Sequence, residues 1–279
     1  MSLTYISDET RLSYRENGDG APVVFLHPTP LNGEYWRPLI ERLPQVRAIA
    51  PDFRGHGASE LGTRLPAGGF ARVPDAPVLS MGQLASDVLA LLDHLRLQRA
   101  AFAGCSIGGY VLLELWRRAP ERMTALALIC SKPQPDAEAG LAKREATIAQ
   151  ARAGQAAALF DGFAQSLVSA TTRTKRPETV RELRAQMTLT PEAEVAVQAG
   201  LAARPDSIPT VASIAAPVLA IAGGEDMSVT PVEMEAFCAA PGVYTYEVLA
   251  DAGHFAAYEQ PERIAELMSG WLRQVGQMD

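Results

Sequence analysis

Six short apolar runs punctuate the chain: PVVFLH (22–27), VRAIAP (46–51), RAAFAG (99–104), ALALIC (125–130), PVLAIAG (217–223) and YTYEVL (244–249). Runs of that length without polar alternation predict strands buried on both faces. Between them the spacing turns helical, in GEYWRPLIERL, MGQLASDVLALLDHL, IGGYVLLELWRRAP, PVEMEAFCAA and PERIAELMSGWLRQ. LSYRE (12–16) and the residues before it predict an antiparallel pair at the start. Strand and helix alternating in this way call for an α/β architecture: a mostly parallel sheet of about eight strands flanked by helices.

The alternation breaks once. From Cys130 to Pro217 the chain is rich in Ala, Gln and Arg, helical in period and without a convincing strand. QAAALFDGFAQSLV and PETVRELRAQM are its clearest helices. Residues 133–206 are therefore expected to form a helical lid inserted after the sixth strand, leaving 1–132 and 207–279 as the core. LGTRLPAGGFARVPDAP (61–77), dense in Pro and Gly, predicts an irregular loop.

Composition narrows the function classes. The 279 residues carry a net charge of -7, so the basic surface of a nucleic-acid binder is missing. The N-terminus lacks the basic start and apolar stretch of a secretory signal. No apolar run reaches the ~18 residues of a membrane span. Cys105, Cys130 and Cys238 each sit in an apolar context and read as reduced, buried thiols of a cytoplasmic protein. The four histidines are scattered without metal-ligand spacing, so neither metal nor cofactor is expected.

Candidate chemistry starts at AGCSIGGY (103–110), where the third apolar run meets a helix. A strand-turn-helix of the Gly-x-Ser-x-Gly kind exposes its central residue at a strained apex, with small residues two before and two after. Ser106 has Gly104 and Gly108 there. Cys105 would have Ala103 and the bulky Ile107, so Ser106 is the apex. A serine needs a base, and the base needs an orienting acid. Asp226 in GGEDMSVTP follows the run PVLAIAG, and His254 in DAGHFAAYEQPERI follows YTYEVL. Both loops are expected at the sheet edge that carries the elbow. His27, His56 and His94 are set aside as structural or solvated.

These motifs, in the chain order Ser…Asp…His, resemble the α/β-hydrolase fold over essentially the whole chain. The chain is similar to the lidded subgroup of 3-oxoadipate enol-lactonases, small carboxylesterases and cofactor-free haloperoxidases. PDFRGHGAS (51–59) resembles the D-x-R-G-x-G-x-S turn of that fold, which is structural. The loop HPTP (27–30) departs from the usual His-Gly-x-Pro or His-Gly-x-Gly. The resemblance implies an oxyanion hole from the backbone N–H groups of Thr29 and Ile107, whereas Pro28 and Pro30 have none to give. The Thr29–Pro30 bond is a candidate for the cis form.

The implied reaction is hydrolysis of a small carboxylic ester through an acyl-enzyme. Enol-lactone hydrolysis is an alternative, and the same triad serves carbon–carbon hydrolysis, perhydrolysis and hydroxynitrile cleavage. From another class, the fold also hosts ligand receptors with weak catalysis. No partner beyond a small-molecule substrate is expected, and oligomeric state stays open. Phe160, Phe163, Leu167 and Met187 are candidate pocket residues. Arg173, Lys175, Arg176, Arg181 and Arg184 form either a basic rim or a solvated helix face. The second reading, with an apolar pocket, favours uncharged esters of ~2–6 acyl carbons.

Overall fold

The computed structural model describes residues 2–242 and 244–278. Its eight strands are β1 (Leu3–Ser7), β2 (Thr10–Asn17), β3 (Ala21–Leu26), β4 (Val46–Pro51), β5 (Ala100–Cys105), β6 (Met123–Ile129), β7 (Val218–Gly223) and β8 (Tyr244–Leu249). They form one sheet in the order β1-β2-β4-β3-β5-β6-β7-β8. β1 and β2 pair antiparallel, as do β2 and β4, and the remaining ladders are parallel. Every residue of β5 and β7 is buried, the consequence of helices on both faces.

After β4 the chain returns across β3 to lay down β5 on its other side. Strand order therefore reverses between β3 and β5, the kind of point where open α/β sheets leave a crevice. In-register pairing of Leu26 with Gly104 ends β3 and β5 side by side, so the loops 27–32 and 105–107 emerge together.

Between β6 and β7 the described residues hold no strand. Five helices, Glu138–Arg152, Ala156–Ser166, Ala170–Lys175, Pro177–Gln186 and Pro191–Ala202, fill residues 133–206. The 61–77 segment is irregular apart from one bridge between Ala67 and Pro77. It is nevertheless anchored. Phe70 and Val78 join Ile148 and Val195 in a second small core that ties this loop to two of the five helices.

Three expectations need correction, the first being PVEMEAFCAA, which forms one helical turn at Pro231–Met234 and a 3-10 turn at Glu235–Ala239. GEYWRPLIERL forms only a 3-10 turn at Gly33–Trp36 and one helical turn at Arg37–Ile40, because Pro38 fixes the chain near the start and Pro44 closes it. Cys238 is exposed, unlike Cys105 and Cys130, since its short 3-10 turn turns only Phe237 inward. Among the described residues no helix is long and apolar enough to cross a membrane.

Candidate active site

Ser106 stands between the last residue of β5 and the helix Ile107–Arg118, with φ 53° and ψ -117°. An L-residue at positive φ is strained, and it persists only where its surroundings enforce it. Here the enforcement is close packing. A Cβ on Gly104 would lie 2.6 Å from the Gly108 carbonyl carbon, and one on Gly108 would lie 2.1 Å from the Leu26 carbonyl oxygen. No other residue fits at either place. The Ser106 N–H still continues the ladder to Ile129 O at 3.0 Å, and Ser131 Oγ donates to the Ser106 carbonyl at 3.0 Å.

Asp226 lies three residues beyond β7. Its Oδ1 accepts the N–H groups of Ser228 (2.8 Å) and Val229 (3.0 Å), which leaves Oδ2 to bond His254 Nδ1 at 2.7 Å. Glu225 is turned elsewhere, accepting the Ala170 N–H at 2.7 Å. His254, between β8 and the helical turn Ala256–Glu259, is 3% exposed. Burial opposes its charged form, but the charge of Asp226 and the hydrogen bond to it outweigh that and raise the imidazole above its ordinary pKa.

Thr29 precedes a cis bond to Pro30. Among the described residues neither the Thr29 N–H nor the Ile107 N–H has a hydrogen-bond partner. The Thr29 hydroxyl sits 3.0 Å from His56 Nε2, and His56 Nδ1 lies 2.9 Å from Arg54 O. With Nδ1–H donating to that carbonyl, Nε2 is the acceptor for the hydroxyl. Burial lowers the His56 pKa to about 4, so this neutral tautomer holds over the ordinary pH range. His27 is built the same way: Phe53 N–H donates to Nε2 at 2.9 Å, and burial keeps the ring neutral. Both rings are structural, yet His56 reaches the loop the sequence singled out.

Ser106, His254 and Thr29 line one cavity of about 490 Å³. Phe163 and Leu167 line it too. Phe160 and Met187, expected there, do not: they are buried in the helices, at 3% and 2% exposure, with the Arg184 guanidinium over the Phe160 ring. None of the five residues of the basic run lines the cavity either. Arg173 donates to the carbonyls of Gln165 and Val168, Arg176 to that of Glu259, and Arg184 to Asp161.

The cavity carries charge that the sequence reading did not foresee. Gly140, Lys143, Arg144 and Thr147 all border it, at the i, i+3, i+4, i+7 spacing that puts them on one face of Glu138–Arg152. Arg144 donates to Asp136 Oδ2 (3.0 Å) and to Gln198 Oε1 (2.8 Å), and Lys132 pairs with Glu233 at 2.5 Å. Although burial opposes it, the bonds from Arg204 and Arg144 hold Asp136 down to about 2. Lys143 makes no ion pair among the described residues. In the sequence these positions look like the solvated side of a helix; Lys143 is exposed and Arg144 half-buried, and only the tertiary fold sets that side at the edge of the cavity.

Known proteins agree with this architecture. 3-oxoadipate enol-lactonase 1 of Acinetobacter baylyi is 27% identical over 268 residues, covering 95% of this chain and 94% of its own. A thermophilic esterase from Thermogutta terrifontis, solved with malate bound, superposes with a TM-score of 0.88 at 28% identity, covering 99% of both chains. The enol-lactonase of Burkholderia xenovorans LB400 shares the fold at a TM-score of 0.85 and 24% identity, over 97% of this chain and all of its own. Residues 21–261 match the family described as alpha/beta hydrolase fold, and with β3 through His254 inside that span the chain belongs to that family.

Proposed function

We propose that this protein hydrolyses the ester or lactone bond of a small substrate that bears a carboxylate, using Ser106 as nucleophile, His254 as base and Asp226 as its orienting acid. One observation carries the reading. A serine held at a strained apex shares a cavity with a histidine whose Nδ1 is committed to a buried carboxylate. That leaves Nε2 as the ring nitrogen able to take the serine proton. The esterase and enol-lactonase names of the relatives point the same way.

In the proposed reaction Ser106 Oγ attacks the substrate carbonyl as His254 takes its proton. The N–H groups of Thr29 and Ile107 receive the developing oxyanion, a contribution of ~10²–10³ in rate per donor in comparable sites. His254 then gives the proton to the leaving oxygen. Water, activated by the same imidazole, releases the acid and restores Ser106. Residues 133–206 act as the lid, and Lys143 and Arg144 supply the positive end of the pocket.

The polar lining favours a charged substrate over the neutral short esters that the sequence suggested. The test compares kcat/KM for a neutral short ester and its ω-carboxylate analogue at low and high salt. A preference for the charged analogue that shrinks with salt is the expected result. Equal turnover of both at all salt concentrations would restore the neutral-ester reading.

A further inference from the structure

Glu259 lies five residues beyond His254, and the proposed reaction has no use for it. Its side chain is fully buried, and among the described residues it forms no ion pair. Three donors converge on it instead. Gly253 N–H donates to Oε1 at 3.0 Å, while Ser169 N–H and Thr172 Oγ1 each donate to Oε2 at 2.8 Å. One oxygen thus serves the loop carrying His254, and the other serves the turn after the helix Ala156–Ser166 together with the first turn of Ala170–Lys175.

The same neighbourhood makes two further contacts. His254 N–H donates to Leu167 O at 2.8 Å, and Arg176 Nη1 donates to the Glu259 carbonyl at 2.5 Å. A Cβ on Gly253 would come within 2.6 Å of Ser169 N, so the two backbones touch with no side chain between them. From below, Cys105 Sγ lies 3.6 Å from His254 O and Cys130 Sγ 3.6 Å from Gly253 O. The peptides flanking the imidazole are therefore gripped by the strand ends on one side and the turn on the other. Ser166 and Leu167, in that turn, line the substrate cavity.

We propose that Glu259 is a positioning residue that makes the placement of His254 conditional on the 167–172 turn. This rests on the Ser106–His254–Asp226 reading. The carboxylate suits the task because it only accepts, and every group around it donates. An amide would set an NH₂ group against one of those donors and leave it unpaired.

The experiment uses Glu259→Gln, Thr172→Val and Thr172→Ser in the full chain. Four quantities are read: kcat, KM, the rate of Ser106 labelling by a fluorophosphonate, and the downfield proton resonance of His254 Nδ1–H. Glu259→Gln is expected to lower kcat about 10- to 100-fold with KM nearly unchanged, the scale seen when a reacting group is misplaced. Labelling slows by the same factor, and the Nδ1 resonance shifts or broadens. Thr172→Val does the same to a smaller extent, and Thr172→Ser restores wild-type behaviour. Val88→Ala, a core change remote from the site, lowers Tm without touching kcat or the resonance. If Glu259→Gln fails to fold, the Thr172 pair decides. Wild-type kcat, labelling and resonance in both Glu259→Gln and Thr172→Val would overturn the proposal. An active Ser106→Ala would instead overthrow the catalytic reading beneath it, whatever Glu259 does.

Discussion

His254 Nδ1 and Asp226 Oδ2 lie 2.7 Å apart, and the other oxygen of that carboxylate is pinned by the N–H groups of Ser228 and Val229. The acid cannot rotate away from the ring without breaking two backbone bonds. Asp226→Asn keeps the shape but offers an amide where the imidazole N–H needs an acceptor. We expect kcat to fall by about 10⁴, the loss that accompanies the wrong tautomer. Because Asp226 raises the His254 pKa and the proposed base works deprotonated, wild-type kcat/KM should rise with pH along a limb lying above the ordinary histidine value. Near-wild-type turnover of the variant would transfer the role to another acid, with Glu225 the next to test.

Ser106 sits where glycine is at ease and serine is not. Ser106→Gly should abolish phosphonate labelling while raising Tm, since such backbone strain costs about 1–3 kcal/mol. A lower Tm in that variant would mean that the elbow holds its serine without strain.

Among the described residues Lys143, at the edge of the cavity, pairs with no carboxylate. Lys143→Ala should raise KM several-fold for an ω-carboxylate ester and leave the neutral ester unaffected. Equal effects on both substrates would assign the change to lid packing.

Glu194 is fully buried, and burial raises its pKa. A raised carboxyl means that the folded chain binds a proton the unfolded chain gives up, so this contribution to stability falls as pH climbs past the unfolded value. Glu194→Gln should therefore raise Tm at neutral pH and lose its advantage in acid. Urea titrations at several pH values check the sign.

The strands were legible because β5 and β7 are buried on both faces, which leaves continuous apolar runs. Ser106 was legible because sterics permit so little around it: Gly104 and Gly108 are forced. The pocket was not. Phe160 and Phe163 lie on one helix three residues apart, yet one packs inside and the other lines the cavity. Which helix face borders the cavity depends on neighbours distant in sequence, so nothing local marked Lys143 and Arg144. Glu259 escaped for the same reason: its partners Ser169 and Thr172 lie some ninety residues upstream.

Three of the histidines respond to protons in opposing ways. Asp226 raises His254, so its share of stability is complete below the unfolded histidine value and is lost as pH rises through the folded one. Burial lowers His27 and His56, so their share is present at neutral pH and drains away as pH falls below about 6.5. On the proposed mechanism, deprotonating His254 arms the serine as it weakens the fold, above the unfolded histidine value, whereas the two buried rings give up their share only below it. Opposed slopes that meet at the unfolded histidine value make the combined contribution of these histidines greatest there. On that mechanism the proton that must leave before the serine can react is one the fold itself holds, so readying the site lowers the protein's resistance to unfolding.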